Sequence, residues 1–455
     1  MNELKNRELF ESMPVAQAVG TMAIPTVIGQ LIILIYNMAD TFFIGRTNDP
    51  FMVASASLIL PVFNITLSLA SIAGVGGGAL ISRLFGEHQE EEARKVCSFS
   101  ICFSIAASAL FSLGTLLFMK PLLLLLGAGP DTYEFARIYA IWVIVIGGLP
   151  TIMTNVLSNL TRSIGESGKA GFGVTLGGVV NMILDPIFMF VLLPKGQEIV
   201  GAGIATCLSN CISCLYFIFA IKRLGNHAVL GMVPLTQLPR KSSIAQIFAV
   251  GVPSAVTILL FDMDYIVIDK LMAGYSDIAL AAVGIVLKAE RLPLNVGIGI
   301  CQGMVPIVAY NYASKNFKRM KQLARFSLLC GIGCALASIA LYEVFAPYIM
   351  HFFIDDAQTI LLGTGFLRIR CLATIFMFAC FYHVHLFNSY GRGGEALFLG
   401  VARWAVFNIP MLFLMNALTG MYGIVWSQLL ADILTVILSV AVHHRFVKQH
   451  LKPTL

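Results

Sequence analysis

A single charged residue stands inside the first long apolar stretch of this 455-residue chain. From Ile24 the sequence reads IPTVIGQLIILIYNMADTFFIG, in which Asp40 is the charge, Tyr36 lies four residues before it and Pro25 lies near the start. The spacing places Tyr36 and Asp40 on one face of a helix, and the proline removes a backbone hydrogen bond, so the helix can bend there. An ionisable group inside a membrane is costly and is expected to face a cavity or a partner. We predict that Asp40 holds a cation or a proton.

A second set of polar residues lies on two later apolar stretches. Asn181 and Asp185 are four residues apart in GGVVNMILDP and share a helical face, and Thr206 lies in GAGIATCLSN. If these stretches cross a membrane in alternating directions, Asp40, Asp185 and Thr206 lie at similar depth. Two carboxylates at one depth share a proton or hold a cation, and oxygen ligands of these types suit Na⁺ or a proton relay. Alternatively, Asp185 pairs within its own bundle and Asn181 only hydrogen-bonds between helices.

The elements that must position these residues are membrane helices. The chain is 58% hydrophobic and 12% charged, with a mean hydropathy of +0.85, whereas a soluble protein carries about twice that charge. The predicted fold is an all-α integral membrane protein with twelve transmembrane helices. The predicted spans are residues 15–45, 52–80, 97–119, 133–160, 170–194, 200–222, 246–272, 279–308, 326–350, 360–389, 395–416 and 420–444.

The distribution of Lys and Arg among the loops predicts the orientation. With a cytoplasmic N-terminus, the outer loops hold Arg46, Lys120, Lys195 and Lys270. The inner segments then hold Lys5, Arg7, Arg83, Arg94, Lys95, Arg162, Lys169, Lys222, Arg223, Arg240, Lys241, Lys315, Lys318, Arg319, Lys321, Arg325, Arg392, Arg445, Lys448 and Lys452. Because basic loops stay in the cytoplasm, both termini are predicted to be cytoplasmic.

The two halves of the chain repeat each other. IPTVIGQ and ADTFFIG in the first half correspond to VPSAVTI and IDKLMAG in the second. Six spans per half is an even number, so both halves enter the membrane in the same sense and form parallel repeats. We predict an N-lobe of residues 1–223, an interlobe linker of residues 224–243 and a C-lobe of residues 244–455. The two pseudo-symmetric six-helix bundles are expected to face each other across a central cleft.

These motifs resemble the multidrug and toxin extrusion (MATE) family, and most closely its MepA-like bacterial branch. The similar stretches are YNMADTFFIG, the Asn181 and Asp185 pair, GAGIAT, and GIGICQGMVPIVAYNYAS in the second half. The resemblance covers essentially the whole chain. It implies an exporter of amphipathic, often cationic drugs that is coupled to inward Na⁺ or H⁺ and works by alternating access in the bacterial inner membrane. No cofactor other than the coupling ion is implied.

The same resemblance implies a set of binding residues. The family's cation site in the first half maps onto Asp40, Asn181, Asp185 and Thr206, all of which are present here. Tyr36 and Asn155 are its expected neighbours. The partners implied are small-molecule drugs or toxins and the lipid bilayer, without nucleic acid, and the expected state is a monomer.

The second half departs from one pattern of the family. Some members place an acidic pair in the seventh and tenth spans. Here the seventh span has Asp262 and Asp264, two residues apart and on different faces, and the tenth has His383 and His385 instead of a carboxylate. A second cation site of that type is therefore not expected, and the roles of Asp264 and the two histidines stay open.

Charges near Pro293 have two interpretations. Lys288, Glu290 and Arg291 lie within an otherwise apolar span, where they need a partner or water. They either form an internal ion pair or line the substrate cleft. Asp262 likewise either lines the cleft and attracts cationic substrates, or pairs locally with Lys288 or Arg291.

A flippase and a membrane-embedded enzyme are the two alternative functions. A flippase for lipid-linked oligosaccharides shares the two-bundle layout, but its cleft should carry several basic residues for a pyrophosphate, and the first half here contributes acids and amides. A membrane-embedded enzyme needs a nucleophile and base, or a histidine-rich metal cluster, and neither pattern is recognisable. No Walker motif is present, so ATP is not the expected energy source.

Overall fold

The computed structural model describes residues 2–47, 49–223, 230–231, 233–234 and 237–450, and the side chains of residues 2–6 and of Asp262 lie outside that description. Every regular element in the described part is helical. Part of the predicted linker, residues 224–229, 232, 235 and 236, falls outside the described residues.

The first half of the chain forms one bundle of helices. Its α-helices are α1 (Asn2–Glu11), α2 (Val15–Gly45), α3 (Pro50–Gly86), α4 (Glu90–Leu117), α5 (Met119–Leu125), α6 (Pro130–Ala140), α7 (Gly148–Ser163), α8 (Ser167–Ile187) and α9 (Glu198–Arg223). Two π-helical turns, Ile141–Ile146 and Phe188–Leu192, follow α6 and α8. The second π-turn comes directly after Pro186, which cannot donate to the helix ladder.

The second half forms the other bundle. Its α-helices are α10 (Lys241–Ala273), α11 (Asp277–Ala313), α12 (Phe317–Phe353), α13 (Ala357–Cys371), α14 (Thr374–Ser389), α15 (Gly393–Val401), α16 (Ile409–Thr419) and α17 (Met421–His450). A π-helical stretch, Ala402–Asn408, joins α15 to α16.

The predicted number of membrane spans is confirmed. In the described part of the chain, ten helices are long and apolar enough to cross a membrane, and two further pairs, each bent by 45°, complete twelve. The helices extend beyond the predicted apolar runs at one end: α3 continues to Gly86 and α12 begins at Phe317. The extensions are polar or amphipathic, so an apolar count alone does not detect them.

The two bundles are packed together at one end of the molecule. We call the end where α1 lies and α17 finishes the terminal face, and the opposite end the distal face. One hydrophobic core at the terminal face contains residues of both halves, including Phe10, Phe85, Tyr310 and Phe446. Phe10 is fully buried and stacks on Tyr310 with ring centroids 4.7 Å apart. The terminal face is therefore closed.

Near the distal face the cores of the two bundles are separate. One cluster, which includes Ile44, Val143 and Ile199, contains residues of the first half alone. Another, which includes Ile268, Val286 and Val425, contains residues of the second half alone. Since the described residues of the two halves share a core only at the terminal face, the cleft between the halves opens toward the distal face.

Glycines bring the two halves into backbone contact at the terminal side. A Cβ atom at Gly76 would lie 2.2 Å from the carbonyl oxygen of Ile247, and one at Gly251 would lie 2.1 Å from that of Ile72. Both distances are far below van der Waals contact, so α3 and α10 can approach this closely only with glycine at these positions. The closed terminal face thus depends on Gly76 and Gly251.

The substitution Gly251→Ala is expected to force the halves apart at the terminal face, because its methyl group would meet the backbone of Ile72. The distance between spin labels on the exposed residues Glu87 and Lys318, measured after replacement of the native cysteines, should increase. Gly284→Ala is the control, because its Cβ has nothing within 4 Å. An unchanged distance in Gly251→Ala would show that the contact does not hold the face closed.

Candidate ion-binding site

Two helices of the first bundle approach closely and carry the predicted site. A Cβ atom at Gly171 of α8 would lie 2.4 Å from the carbonyl oxygen of Pro25, and one at Gly178 would lie 2.5 Å from Ile32. The same atom at Gly178 would lie 3.2 Å from the ring of Tyr36. Despite Pro25, α2 is one continuous helix. Glycines on α8 therefore seat α2 so that Tyr36 lies against the helix that carries Asn181 and Asp185.

Three of the predicted residues are joined by hydrogen bonds. The side-chain amide of Asn181 donates to Asp185 Oδ1 at 3.3 Å and to Thr206 Oγ1 at 3.4 Å. Asn181 is 2% exposed and Asp185 is fully buried. The four-residue spacing on α8 and the facing position of α9 produce this arrangement. Both bonds are long, and Asn181 supplies its only donor group to them, so the carboxylate is weakly satisfied.

Several oxygens at this site have no partner. Asp40 Oδ1, Asp185 Oδ2 and Asn181 Oδ1 are all buried and accept no hydrogen bond from any residue that the structure describes. Asp40 and Asp185 lie close enough for their charges to interact. Buried acceptors without donors are unusual in folded proteins, and two neighbouring carboxylates repel each other when both are ionised. The donor set therefore fits a bound proton or a hard cation, which would satisfy these oxygens.

A cavity of about 50 Å³ lies beside Asn181 within the first bundle. Its lining includes the predicted Tyr36, Asn155, Asn181 and Thr206. It also includes polar residues that the sequence analysis did not select: Thr154, Ser209, Asn210 and Ser213. A pattern could have identified the α9 residues, because Asn210 and Ser213 follow Thr206 by four and seven residues and share its helical face.

A tyrosine outside the predicted set also belongs to this region. Tyr139 is buried and lies within electrostatic range of Asp40, Asp185 and Tyr36. It stands at the end of α6, just before the π-turn that leads to the bend of the fourth span. Nothing in its sequence neighbourhood distinguishes it, because its proximity to the carboxylates arises from the packing of α6 in the bundle.

The predicted cleft residues of the second half are Asp262, Lys288 and Arg291. Lys288 and Arg291 are exposed on α11, and the Arg291 guanidinium lies 5.2 Å from the ring centroid of Tyr265. Glu290 is buried and pairs with Arg370 of α13 at 2.8 Å, so its ion-pair partner comes from another helix and not from its own segment. The side chain of Asp262 lies outside the described residues.

The second bundle contains a buried polar network that the sequence analysis missed. Arg403 makes two bonds to the carboxylate of Asp432, at 2.8 and 3.2 Å. Gln428 donates to Asp432 at 2.8 Å, and Asn408 donates to Asp264 at 2.7 Å and to Gln428 at 3.2 Å. Asp432 could have been selected by the rule applied to Asp40, since it too is a carboxylate in an apolar span.

The two histidines of the tenth span hydrogen-bond within their own helix. The Nδ1 atoms of His383 and His385 lie 2.7 and 2.8 Å from the carbonyl oxygens of Ala379 and Phe381. His383 also packs edge-on against the ring of Tyr382. These contacts are those of helix-packing residues.

Comparisons with known proteins agree with this architecture. The MatE family profile matches residues 25–187 and 253–414, once in each half. The multidrug export protein MepA of Staphylococcus aureus is 30% identical over 432 residues, which cover 94% of each chain. A point mutant of the Vibrio cholerae MATE transporter VcmN has the same fold, with a TM-score of 0.90 at 21% identity over 96% of this chain and 98% of that one. An outward-facing multidrug resistance MATE transporter superposes with a TM-score of 0.91 at 21% identity over 99% of each chain.

Twelve membrane helices in two facing bundles, with a polar cavity in one of them, define a multi-pass membrane transporter. The chain belongs to the MATE family of multidrug efflux transporters. It is accordingly a transporter and not an enzyme, and its substrates are small molecules carried across a membrane.

Proposed function

We propose that this protein is a cation-coupled antiporter that exports amphipathic, often cationic compounds in exchange for inward Na⁺ or H⁺. The observation that carries this proposal is the set of unpartnered oxygens on Asp40, Asn181 and Asp185. Asn181 lines a polar cavity, and an ion or proton is the simplest group that would satisfy the buried oxygens of all three residues. Carboxylate, amide and hydroxyl oxygens are ligands for Na⁺ and equally serve a proton, so either ion suits the site.

Helix α2 is the element through which the site acts on the cleft. On one side it packs on α8, which carries Asn181 and Asp185. On the other it packs on α11 of the second bundle, where Cβ atoms at Gly299 and Gly303 would lie 2.6 and 2.7 Å from the Cα atoms of Val27 and Ala23. Pro25 lies between those two contacts. A bend or shift at Pro25 when the ion binds would therefore change the contact between the bundles.

The orientation follows from the positions of the basic residues. Most Lys and Arg residues of the loops belong to segments at the terminal face, so we place that face and both termini in the cytoplasm of a bacterial cell. The cleft that opens at the distal face then opens outward. In this state the ion site is reached from outside, and one charge moving inward across about 100 mV releases about 2.3 kcal/mol.

Coupling requires that the ion and the substrate prefer different conformations. Ion binding at Asp40 and Asp185 from the outer side lowers the affinity of the cleft for substrate, and the return of the halves exposes the ion to the cytoplasm. The chain contains 19 Met and 32 Phe residues, and polarizable or aromatic side chains suit flat hydrophobic cations of varied shape. The protein is expected to work as a monomer.

Transport in liposomes tests this proposal. Purified protein should move the cationic dye rhodamine 123 against its gradient when an inward Na⁺ or H⁺ gradient is imposed. Clamping the sodium and proton gradients separately identifies the coupling ion, because only one clamp should stop accumulation of the dye. Dye movement that persists at the same rate with both gradients clamped would contradict ion-coupled antiport.

A further inference from the structure

Among the residues that the structure describes, no carboxylate pairs with Arg162, a buried cation in the last turn of α7. The residue is 6% exposed. Its Nη1 donates to Asn159 Oδ1 at 3.1 Å and to Gln302 Oε1 at 3.3 Å, and its Nη2 donates to Ser158 Oγ at 3.4 Å. Its Nε is buried and donates to nothing. Only neutral oxygens therefore receive hydrogen bonds from this guanidinium.

The other deeply buried guanidinium groups each have a carboxylate nearby that balances their charge. Arg370 and Arg403 each have a carboxylate oxygen at 2.8 Å. Arg83 also bonds to neutral oxygens, but Glu87, one turn later on the same stretch, lies within electrostatic range. Since burial of an unbalanced charge is costly, a guanidinium that is hydrogen-bonded only to neutral oxygens at Arg162 suggests a function.

This guanidinium lies under the floor of the cleft. Gln302 Oε1, which accepts from it, also accepts from Gln30 of α2 at 3.0 Å, so helices of both bundles meet here. Gln30, Asn159 and Gln302 are partly exposed, whereas Ala23, farther toward the terminal face, is packed tightly against Gly303. Water reaching the three amides therefore comes from the cleft. We call Gln30, Asn159 and Gln302 the amide floor.

The chemistry of the group indicates what it recognises. An arginine presents a planar fork that matches a carboxylate with two parallel hydrogen bonds. A charge-assisted bond is roughly twice as strong as one to a neutral acceptor, so a carboxylate would displace Gln302 from Arg162. The free Nε would supply the second donor of the fork.

We propose that Arg162 is the subsite that binds the acidic group of zwitterionic amphipathic substrates, in which a carboxylate lies beside an aromatic cation. The inference rests on the proposed export function and assigns one of its substrate-binding residues. When the halves part at the terminal face, Arg162 loses Gln302 and a carboxylate arriving from that side binds in its place. When the face closes again, the packing of the two halves carries Gln302 back to Arg162 and leaves no room for the carboxylate, so the compound is released toward the distal opening.

A matched pair of dyes tests the subsite. Rhodamine 110 carries a free carboxyl group, and rhodamine 123 is its methyl ester. The wild-type protein should export both. In Arg162→Gln the export of rhodamine 110 should fall by about tenfold or more relative to that of rhodamine 123, because hydrogen bonds to a charged group are lost. Arg162→Lys, which keeps the charge without the fork, should give an intermediate ratio.

Arg83→Gln is the matched control, since Arg83 is the other buried arginine that bonds only to neutral oxygens, and it should leave the ratio of the two dyes unchanged. If Arg162→Gln exports rhodamine 123 and its ratio of rhodamine 110 export to rhodamine 123 export equals that of wild type, the subsite is refuted. The antiporter proposal would then still stand, because wild type moves rhodamine 123. Wild type that moves neither dye would instead refute the proposed function.

A binding measurement tests the subsite even in a variant that no longer transports. Gln302→Ala removes the neutral competitor and keeps Arg162. Fluorescence polarization with the purified variant should show several-fold tighter binding of rhodamine 110, with rhodamine 123 unchanged. Equal affinities of wild type and Gln302→Ala for rhodamine 110 would contradict displacement of Gln302 by a carboxylate.

Discussion

The substitution Asp40→Asn is expected to abolish uphill dye export and the drug resistance that the protein confers on a sensitive host. Asparagine has nearly the same shape, but it can neither take up a proton nor offer a negative charge to a cation. The ion gradient then no longer drives export. Dye accumulation should fall to its passive distribution, a loss of about tenfold for each 1.4 kcal/mol that the ion gradient supplied. Dye accumulation in proteoliposomes measures it directly.

The control for this substitution is Asp131→Asn, which changes an exposed carboxylate in the first turn of α6 in the same bundle. It should export dye at the wild-type level. Asp185→Asn should behave like Asp40→Asn, because the two neighbouring carboxylates belong to the same proposed ion site. Wild-type resistance in Asp40→Asn at normal expression would remove the ion site from the mechanism.

The first-half site could be predicted because its determinants are local. Tyr36 with Asp40, and Asn181 with Asp185, are each separated by one helical turn, so the sequence alone places each pair on one face. The residues that the prediction omitted, Tyr139 among them, reach the site through packing between helices. Periodicity within one segment contains no information on such contacts.

The second bundle shows the limit of reading charges from the sequence. Glu290 and Arg370 are 80 residues apart, and Arg403 and Asp432 are 29 apart, yet each forms a buried pair. The sequence pattern places Arg162 in an inner loop, whereas in the structure its side chain is buried between the halves. The helix that carries Arg162 ends at Ser163. A span boundary placed where the apolar residues end therefore assigns Arg162 to solvent, although tertiary contacts cover its side chain.

Removal of the Arg403 guanidinium is expected to destabilise the protein more than any other single substitution in the second bundle. Arg403→Met leaves Asp432, which is fully buried, with the neutral donors Gln428 and, weakly, the Cys380 thiol at 4.0 Å. An unpaired buried charge costs about 3–5 kcal/mol, so the thermal unfolding temperature in detergent should fall sharply. The surface pair of Arg368 and Glu343, at 3.8 Å and well exposed, provides the control: Arg368→Met should cost under about 1 kcal/mol.

The double variant Arg403→Met with Asp432→Leu distinguishes charge balance from a specific role of the pair. Removing both charges also removes the cost of the unpaired carboxylate, so much of the lost stability should return. The network would then be a self-neutralised structural unit. A double variant no more stable than Arg403→Met would contradict this interpretation, because the loss would then come from packing of the arginine between Phe381 and Trp404.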